Sequence, residues 1–240
     1  MPPASRLLVL AVTRLSDGVC AACLNEQCKW VRPTRENASG WRQLTVDDLK
    51  DSAGRIVVKV GNVVRWTLGP PAPRDVHSED VFVGAARPQF EKTLPRPQLL
   101  QLCNRLCEND MEGFLSGSGR SLALFRPGRV IRVTFRRNEA EKLSARIRFR
   151  HGCDVVDLSV TDLAWRALGR SLLRQRGTDE LSFRPAPLRC CAGLSILYLA
   201  VGRGQPFRKA RHPLAGEYYP FIVSVLTDRA AGPPIDYADL

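Results

Sequence analysis

The residues best placed for chemistry are arginines in two alternating segments. In a strand, successive side chains point to opposite faces. Over 130–137, Ile131, Val133 and Phe135 share one face, and Arg132, Thr134 and Arg136 share the other. Over 145–150, Ala145, Ile147 and Phe149 alternate with Arg146, Arg148 and Arg150. The intervening 138–144 is short enough for a hairpin loop, so the two strands pair and both apolar faces meet the core. Arg132, Arg136, Arg146, Arg148 and Arg150 then lie together on one exposed face, with Glu139 and Glu141 in the loop to neutralise part of it. Like charges opposed across a strand pair are destabilising, and an anion on the face relieves that. Guanidinium groups bind phosphate bidentately and stack on bases. The chemistry this pattern suits is recognition of a phosphate backbone or a nucleotide.

Aromatic and basic residues are interleaved in the first half as well. Trp30 is followed by Arg32, Trp41 by Arg42, and Trp66 follows Arg65. Single-strand binders combine basic grooves with aromatic platforms. Trp30 and Trp66 read as core residues of a small barrel, because Trp is largely buried. Trp41, in a Gly-containing stretch beside Arg42, is the candidate stacking residue, and Arg32 the candidate phosphate contact. Arg203, between Gly202 and Gly204 and followed by Arg208 and Lys209, is a further phosphate candidate. That stretch lacks the Lys-Ser/Thr ending of a phosphate loop.

Metal and nucleophile chemistry find less support. Cys20, Cys23 and Cys28 contain a CxxC spacing, a common zinc signal. Cys20 and Cys23 fall on a predicted strand, where a separation of three directs them to opposite faces. Cys103 and Cys107 are one helical turn apart with no His nearby in sequence. The expectation is free, mostly buried thiols, no metal and no cofactor. His77, His151 and His212 stand outside any triad pattern, although His151 adjoins the Arg-rich strand. The sequence names no catalytic residue.

The elements that must position these residues are mostly strands. Residues 6–12, 19–24 and 29–32 read as strands, the last two as a hairpin turning at Asn25, Glu26 and Gln27. Thr45 caps a short helix to Lys50. A long β-rich run covers 55–68, with Gly61 at a bulge, and is broken by Gly69, Pro70, Pro71 and Pro73; 81–83 is a closing strand. Leu99, Leu102, Cys103 and Leu106 mark a helix over 96–111, with Pro97 in its first turn. Strands follow at 121–125, 129–137, 145–150 and 153–159, then a helix over 161–176 capped by Thr161 or Asp162 and stopped by Gly177. Late strands cover 193–201 and 218–226.

Strands that do not alternate regularly with helices exclude a doubly wound fold. Several short strands and about one helix per half suit OB-like barrels. The expected fold class is mainly β (α+β): two small OB-like barrels in tandem. The first covers 1–95, a linking helix and loop 96–116, the second 117–229 with its helix at 161–176, and 230–240 is a loose tail.

Of the 36 basic residues only six are Lys, leaving 30 Arg against 24 acidic residues and a net charge of +12. Codon usage in a GC-rich genome produces the same Arg-rich bias, so it is the placement of charge that identifies a polyanion partner. With 44% hydrophobic residues the chain is neither disordered nor low-complexity. The early apolar run 7–12 is far below a membrane span of about 18–20 residues. It lacks a secretory cleavage site, and eight Cys are too few for a disulfide scaffold. A cytoplasmic location is expected.

Four blocks together carry a family resemblance. They are Leu7 to Thr13 with Gly18 to Ala22 and Lys29 to Pro33; Gly119 to Pro127; Asp157 to Asp162; and Leu197 to Val201 with Gly202, Pro206 and Phe207. In this order, over roughly 6–227, the chain resembles the dual OB-containing domain family. The resemblance implies two tandem OB-folds, a bacterial or archaeal origin, and a nucleic-acid-binding or sensing role in conflict and defence contexts. It brings no catalytic residues. The expected function is a non-catalytic nucleic-acid-binding or nucleotide-sensing module. The alternatives are a regulatory or partner-docking subunit of a multi-protein system and a nucleic-acid-processing enzyme.

Overall fold

The computed structural model describes residues 4–15, 18–36, 42–117, 119–206, 218–230, 235 and 237. The chain divides into two compact units, residues 1–102 with 236–240 and residues 103–235.

The first unit contains β1 (Ala4–Arg14), β2 (Val19–Leu24), β3 (Trp30–Thr34), β4 (Asn62–Pro71), β5 (Asp80–Val83) and β6 (Gln89–Thr93). Its strand order β1-β2-β3-β5-β4 closes on itself through β1–β4, giving a five-stranded barrel, with β6 added at the edge of β4. This is the OB order, with a parallel β3–β5 pair as its signature. One long strand serves two neighbours: β1 pairs β4 from Ala4↔Thr67 to Leu8↔Val63, and β2 from Leu8↔Leu24 to Arg14↔Val19. A bulge between Val9 and Ala11 bends it between the two jobs. Leu7, Leu10, Leu44, Leu49 and Trp66 fill the interior. Thr45 and Asp48 bond each other's backbone amides around a single 3-10 turn, Asp47–Leu49, shorter than the helix expected there.

The long run expected over 55–68 is corrected at both ends. Residues 57–60 form a loop, held where the Val57 and Val58 amides donate to the Leu49 carbonyl at 2.9 and 3.2 Å. Gly61 takes φ +90° at the entry to β4, and β4 then runs through Gly69 and Pro70 to Pro71. The prolines lie beyond a register shift after Leu68, where the regular ladder no longer needs their amides. The strand β6 carries no apolar alternation; Glu91 on it pairs with Arg6 and Arg65.

Helix α1 (Arg96–Leu106) ends before the expected 111, and a separate helix α2 (Met111–Ser116) starts where the Asp110 side chain accepts from the Gly113 amide at 2.7 Å. The second unit continues with β7 (Leu122–Phe125), β8 (Arg129–Arg137), β9 (Leu143–His151), β10 (Asp154–Val160), α3 (Leu163–Arg176), β11 (Glu180–Phe183), α4 (Pro185–Ala192), β12 (Ile196–Pro206) and β13 (Tyr218–Thr227). Strand β11 and helix α4 lie outside the elements expected from sequence; both are short and lack a periodic run.

The second sheet is ordered β11-β8-β9-β10-β13-β12-β7, with β10 and β13 parallel. The part played by β1 in the first unit is divided here. β7 pairs β12 from Leu122↔Gly202 to Phe125↔Leu199, while β8 pairs β9. Between them Arg126, Pro127 and Gly128 interrupt the strand. With β7 and β8 taken together as strand one, the order is again the OB order, and α3 lies between strands three and four.

The core of this unit gathers Phe125, Val133, Phe135, Ile147, Phe149 and Trp165. The ends of α3 are as expected: Asp162 caps it and Gly177 stops it in the left-handed region at φ +60°. Asp162 also ties the helix to the sheet. Its carboxylate accepts from the Trp165 amide at 3.1 Å and from the Val225 amide of β13 at 2.8 Å. Gly169 lets α3 approach the sheet, since a Cβ there would lie 2.2 Å from Phe135 Cδ1.

Both features of α3 are open to measurement. Gly169→Ala gains about 1 kcal/mol of helix propensity but overpacks against Phe135 at a cost of about 1–3 kcal/mol, so the urea midpoint should fall. Burial pushes the Asp162 pKa up to about 6 from 3.8, against the pull of its backbone hydrogen bonds. Between those values the folded chain keeps a proton that the unfolded chain has released. Its contribution therefore declines as pH rises through that window and is level above it. Urea unfolding from about pH 4 to about pH 7 should show the wild type losing stability relative to Asp162→Asn.

Candidate nucleic-acid interface

The buried side of β8 and β9 decides what the other side presents. Val133, Phe135, Ala145, Ile147 and Phe149 are all 2% exposed or less, so the alternating residues of both strands face outward. In register, Arg129 opposes Arg150, Arg132 opposes Arg148, Thr134 opposes Arg146 and Arg136 opposes Ser144. The five arginines expected together are on one face.

Arg129 joins them, and sequence alternation misses it. Counting by twos from Arg132 puts Arg129 on the core side. A bulge between Val130 and Arg132 inserts Ile131 as an extra residue and reverses the parity before it. Val130 packs on the core instead, and Ile131 is half-buried in the bulge rather than on the core face. The only sequence signal is the odd spacing of Arg129 and Arg132.

Acidic neighbours divide the arginines into two groups. Arg146 Nε donates to Asp157 Oδ1 at 2.9 Å and Nη1 to Ser159 Oγ at 3.0 Å. Arg136 faces Glu180 of β11 at 3.8 Å, and Arg137 at the strand end pairs Asp179 and Glu141. Arg129, Arg132, Arg148 and Arg150 are exposed and have no acidic partner among the described residues. They form two directly opposed cross-strand pairs, with Cβ atoms about 5 Å apart within each pair. Four guanidinium groups so placed concentrate positive potential; the nearest carboxylate in register, Asp157 opposite Arg148, is bonded to Arg146.

The face continues onto β10 and β13 with aromatic character. Ser159 registers with Phe221, so Tyr219 and Phe221 share its side of the sheet, both half-buried. The Tyr219 hydroxyl is drawn below its ordinary pKa by its hydrogen bond to Ser159 and, despite burial, by Arg146 beside it. Rings next to guanidinium groups are the pairing that stacks bases and holds phosphates. In sequence Tyr219 marks only the start of a strand.

The remaining expected contacts lie elsewhere. Arg32 belongs to the first unit, where it bonds Asp80 across β3–β5 with side chains 13% and 4% exposed; it is an internal brace of that barrel. Arg203 is 5% exposed, donates to the Phe114 and Gly117 carbonyls and sits 4.9 Å over the Tyr218 ring. Desolvation and these partners turn both side chains inward, off any phosphate-binding surface. Trp41, Arg208, Lys209, His212 and most of the tail from 230 lie outside the described residues. Trp66 is buried as expected and Trp30 is half-buried. His151 turns away from the arginine face. Its Nε2 meets the Asn109 carbonyl at 2.8 Å and its ring lies edge-on to Phe125.

Among the described residues, no group of three or more His, Cys, Asp or Glu is placed to hold a metal. Cys20 and Cys23 lie three apart on the regular strand β2. Burial pushes the Cys20 thiol up to about 11 and the Cys23 thiol further up, so both stay protonated at neutral pH. Alkylation of the native protein read by peptide mass spectrometry should modify the exposed Cys28, Cys153 and Cys190 quickly. Cys23 and Cys103 should react only after unfolding.

The model of one family, described as the dual OB-containing domain, matches residues 5–183. No curated protein matches the chain. Among solved structures, the tetrameric p202 HIN2 aligns over 93% of both chains at 6% identity, with a TM-score of 0.31 that is too low to show a shared fold.

Proposed function

The chain belongs to the dual OB-containing domain family, and from that membership we propose that it binds nucleic acid, without catalysis, through the outer face of β8 and β9. OB-folds are a recurrent platform for oligonucleotides. The observation that carries the reading is the pair of opposed arginine couples, Arg129 with Arg150 and Arg132 with Arg148, left without carboxylate partners among the described residues on a sheet whose other face is closed core. A phosphate backbone tracking along β9 meets Arg148 and Arg150 in turn. Tyr219 and Phe221 lie further across the same face as platforms for bases, the combination used on single strands. Arg146, tied to Asp157 and Ser159, positions Tyr219 rather than binding phosphate. No described helix is long and apolar enough to cross a membrane.

Fluorescence anisotropy with labelled single-stranded DNA and RNA over a salt series tests it. The joint substitution Arg148→Ala and Arg150→Ala should weaken binding at fixed salt. It should also flatten the slope of log K against log salt by about 0.7 for each phosphate that is no longer neutralised. Tyr219→Ala should weaken binding by about fivefold or more, a stacking loss of about 1–3 kcal/mol, with the slope retained. Wild-type binding that the arginine pair leaves unchanged in both affinity and slope would move the interface off this face. A wild type that binds no oligonucleotide would sink the reading and favour a protein partner.

A further inference from the structure

The break between β7 and β8 leaves a pocket in the second unit. It has a volume of about 880 Å³ and is walled by residues 127–132, by α4 and by the entry to β12 at Leu194, Ser195 and Ile196. Three features make it more than a surface dent. The first is backbone: β11 pairs β8 only from Val133 to Arg136, so β8 from Arg129 to Arg132 presents a free strand edge to the pocket. The second is charge: Arg129, Arg132, Arg184 and Arg189 line it and no acidic residue does. None of the four has an ion-pair partner among the described residues. The third is an apolar wall from Val130, Ile131, Leu188, Leu194 and Ile196.

We propose that this pocket binds a nucleoside phosphate, with the phosphates on Arg184 and Arg189 and the base between the apolar wall and the edge of β8. The volume lies within the range of small-molecule sites, about 300–1,000 Å³. Clustered guanidinium groups match phosphate in charge and fork geometry. A free strand edge supplies the N–H and C=O groups that a base edge needs, whereas an inorganic anion would use only the arginines. The first barrel has no such break, because β1 runs unbroken through the same position.

The site is separate from the strand-binding reading above, although Arg129 and Arg132 border both. The same chemistry reaches the pocket from two sources, a free nucleotide or the phosphorylated end of a strand. Titration of the whole chain with fluorescent nucleoside triphosphates, alongside oligonucleotides with and without a 5′-phosphate, separates them. Saturable binding is expected, weakened about tenfold or more by Arg184→Ala with Arg189→Ala, since that variant removes two charge-assisted hydrogen-bond donors. Ser195→Trp should block binding without altering charge. Arg148→Ala with Arg150→Ala, off the pocket, should leave it within about twofold, and its separate effect on strand affinity keeps the two readings distinguishable. A 5′-phosphate that strengthens oligonucleotide binding, with free nucleotides inert, assigns the pocket to strand ends. Binding of free nucleotides alone assigns it to a small ligand. The proposal is overturned if no nucleotide or 5′-phosphate effect is seen with the wild type. It is also overturned if Ser195→Trp and the Arg184 and Arg189 variant bind as the wild type does.

Discussion

The arginine face depends on what lies behind it. On a pleated strand the core can claim only every second residue, and on β8 and β9 it claims Phe135, Ile147 and Phe149 completely. Once those rings and branches are buried against Trp165, Leu168 and Leu172 of α3, the arginines cannot rotate inward without moving the whole sheet by one residue. Gly169 sets how closely α3 presses on Phe135. Asp162 pins the start of the same helix to β13. The charge on the surface is therefore held in register by apolar packing, and the opposed pairs Arg129–Arg150 and Arg132–Arg148 contribute repulsion rather than cohesion.

The two units build their first strand differently. A five-stranded barrel needs its first strand to serve both the second and the fourth. In the first unit β1 does so by bending at a bulge. In the second, Arg126, Pro127 and Gly128 divide the strand into β7 and β8. Pro cannot donate to a ladder, and Gly128 donates instead to the Arg150 carbonyl at 2.8 Å, so the chain steps aside rather than bending. That step frees the edge of β8, and β11 and α4 partly cover it. The pocket is thus a consequence of how the strand is divided.

Carboxylate placement then sorts the basic residues by role. Asp157, Asp179 and Glu180 neutralise the arginines along the flanks of the sheet, where Arg146, Arg137 and Arg136 sit. Arg32 and Arg203 are drawn inward by Asp80 and by backbone carbonyls. Of the outward arginines of β8 and β9, those without an ion pair among the described residues are contiguous: Arg129 with Arg150 and Arg132 with Arg148. A net charge of +12 says little about a binding surface; the pattern of neutralisation says where it is.

The sequence determined the periodic parts. Alternation placed β8, β9 and their five outward arginines, helical spacing with Asp162 and Gly177 bounded α3, and ordered motifs pointed to the dual OB family, because each of these signals is local. Tertiary structure decided the rest. No local rule marks Ile131 as an inserted residue, so alternation hides Arg129 on the wrong face. Neither Arg32 nor Arg203 differs in sequence from a surface arginine; only Asp80, 48 positions away from Arg32, and the carbonyls of Phe114 and Gly117 reveal them as internal. β6, β11 and α4 are too short for periodicity to register; β6 and β11 form because β4 and β8 offer them hydrogen bonds. Whether an arginine meets a carboxylate or water depends on pairings between residues far apart in the chain, and those pairings are fixed only when the sheet closes.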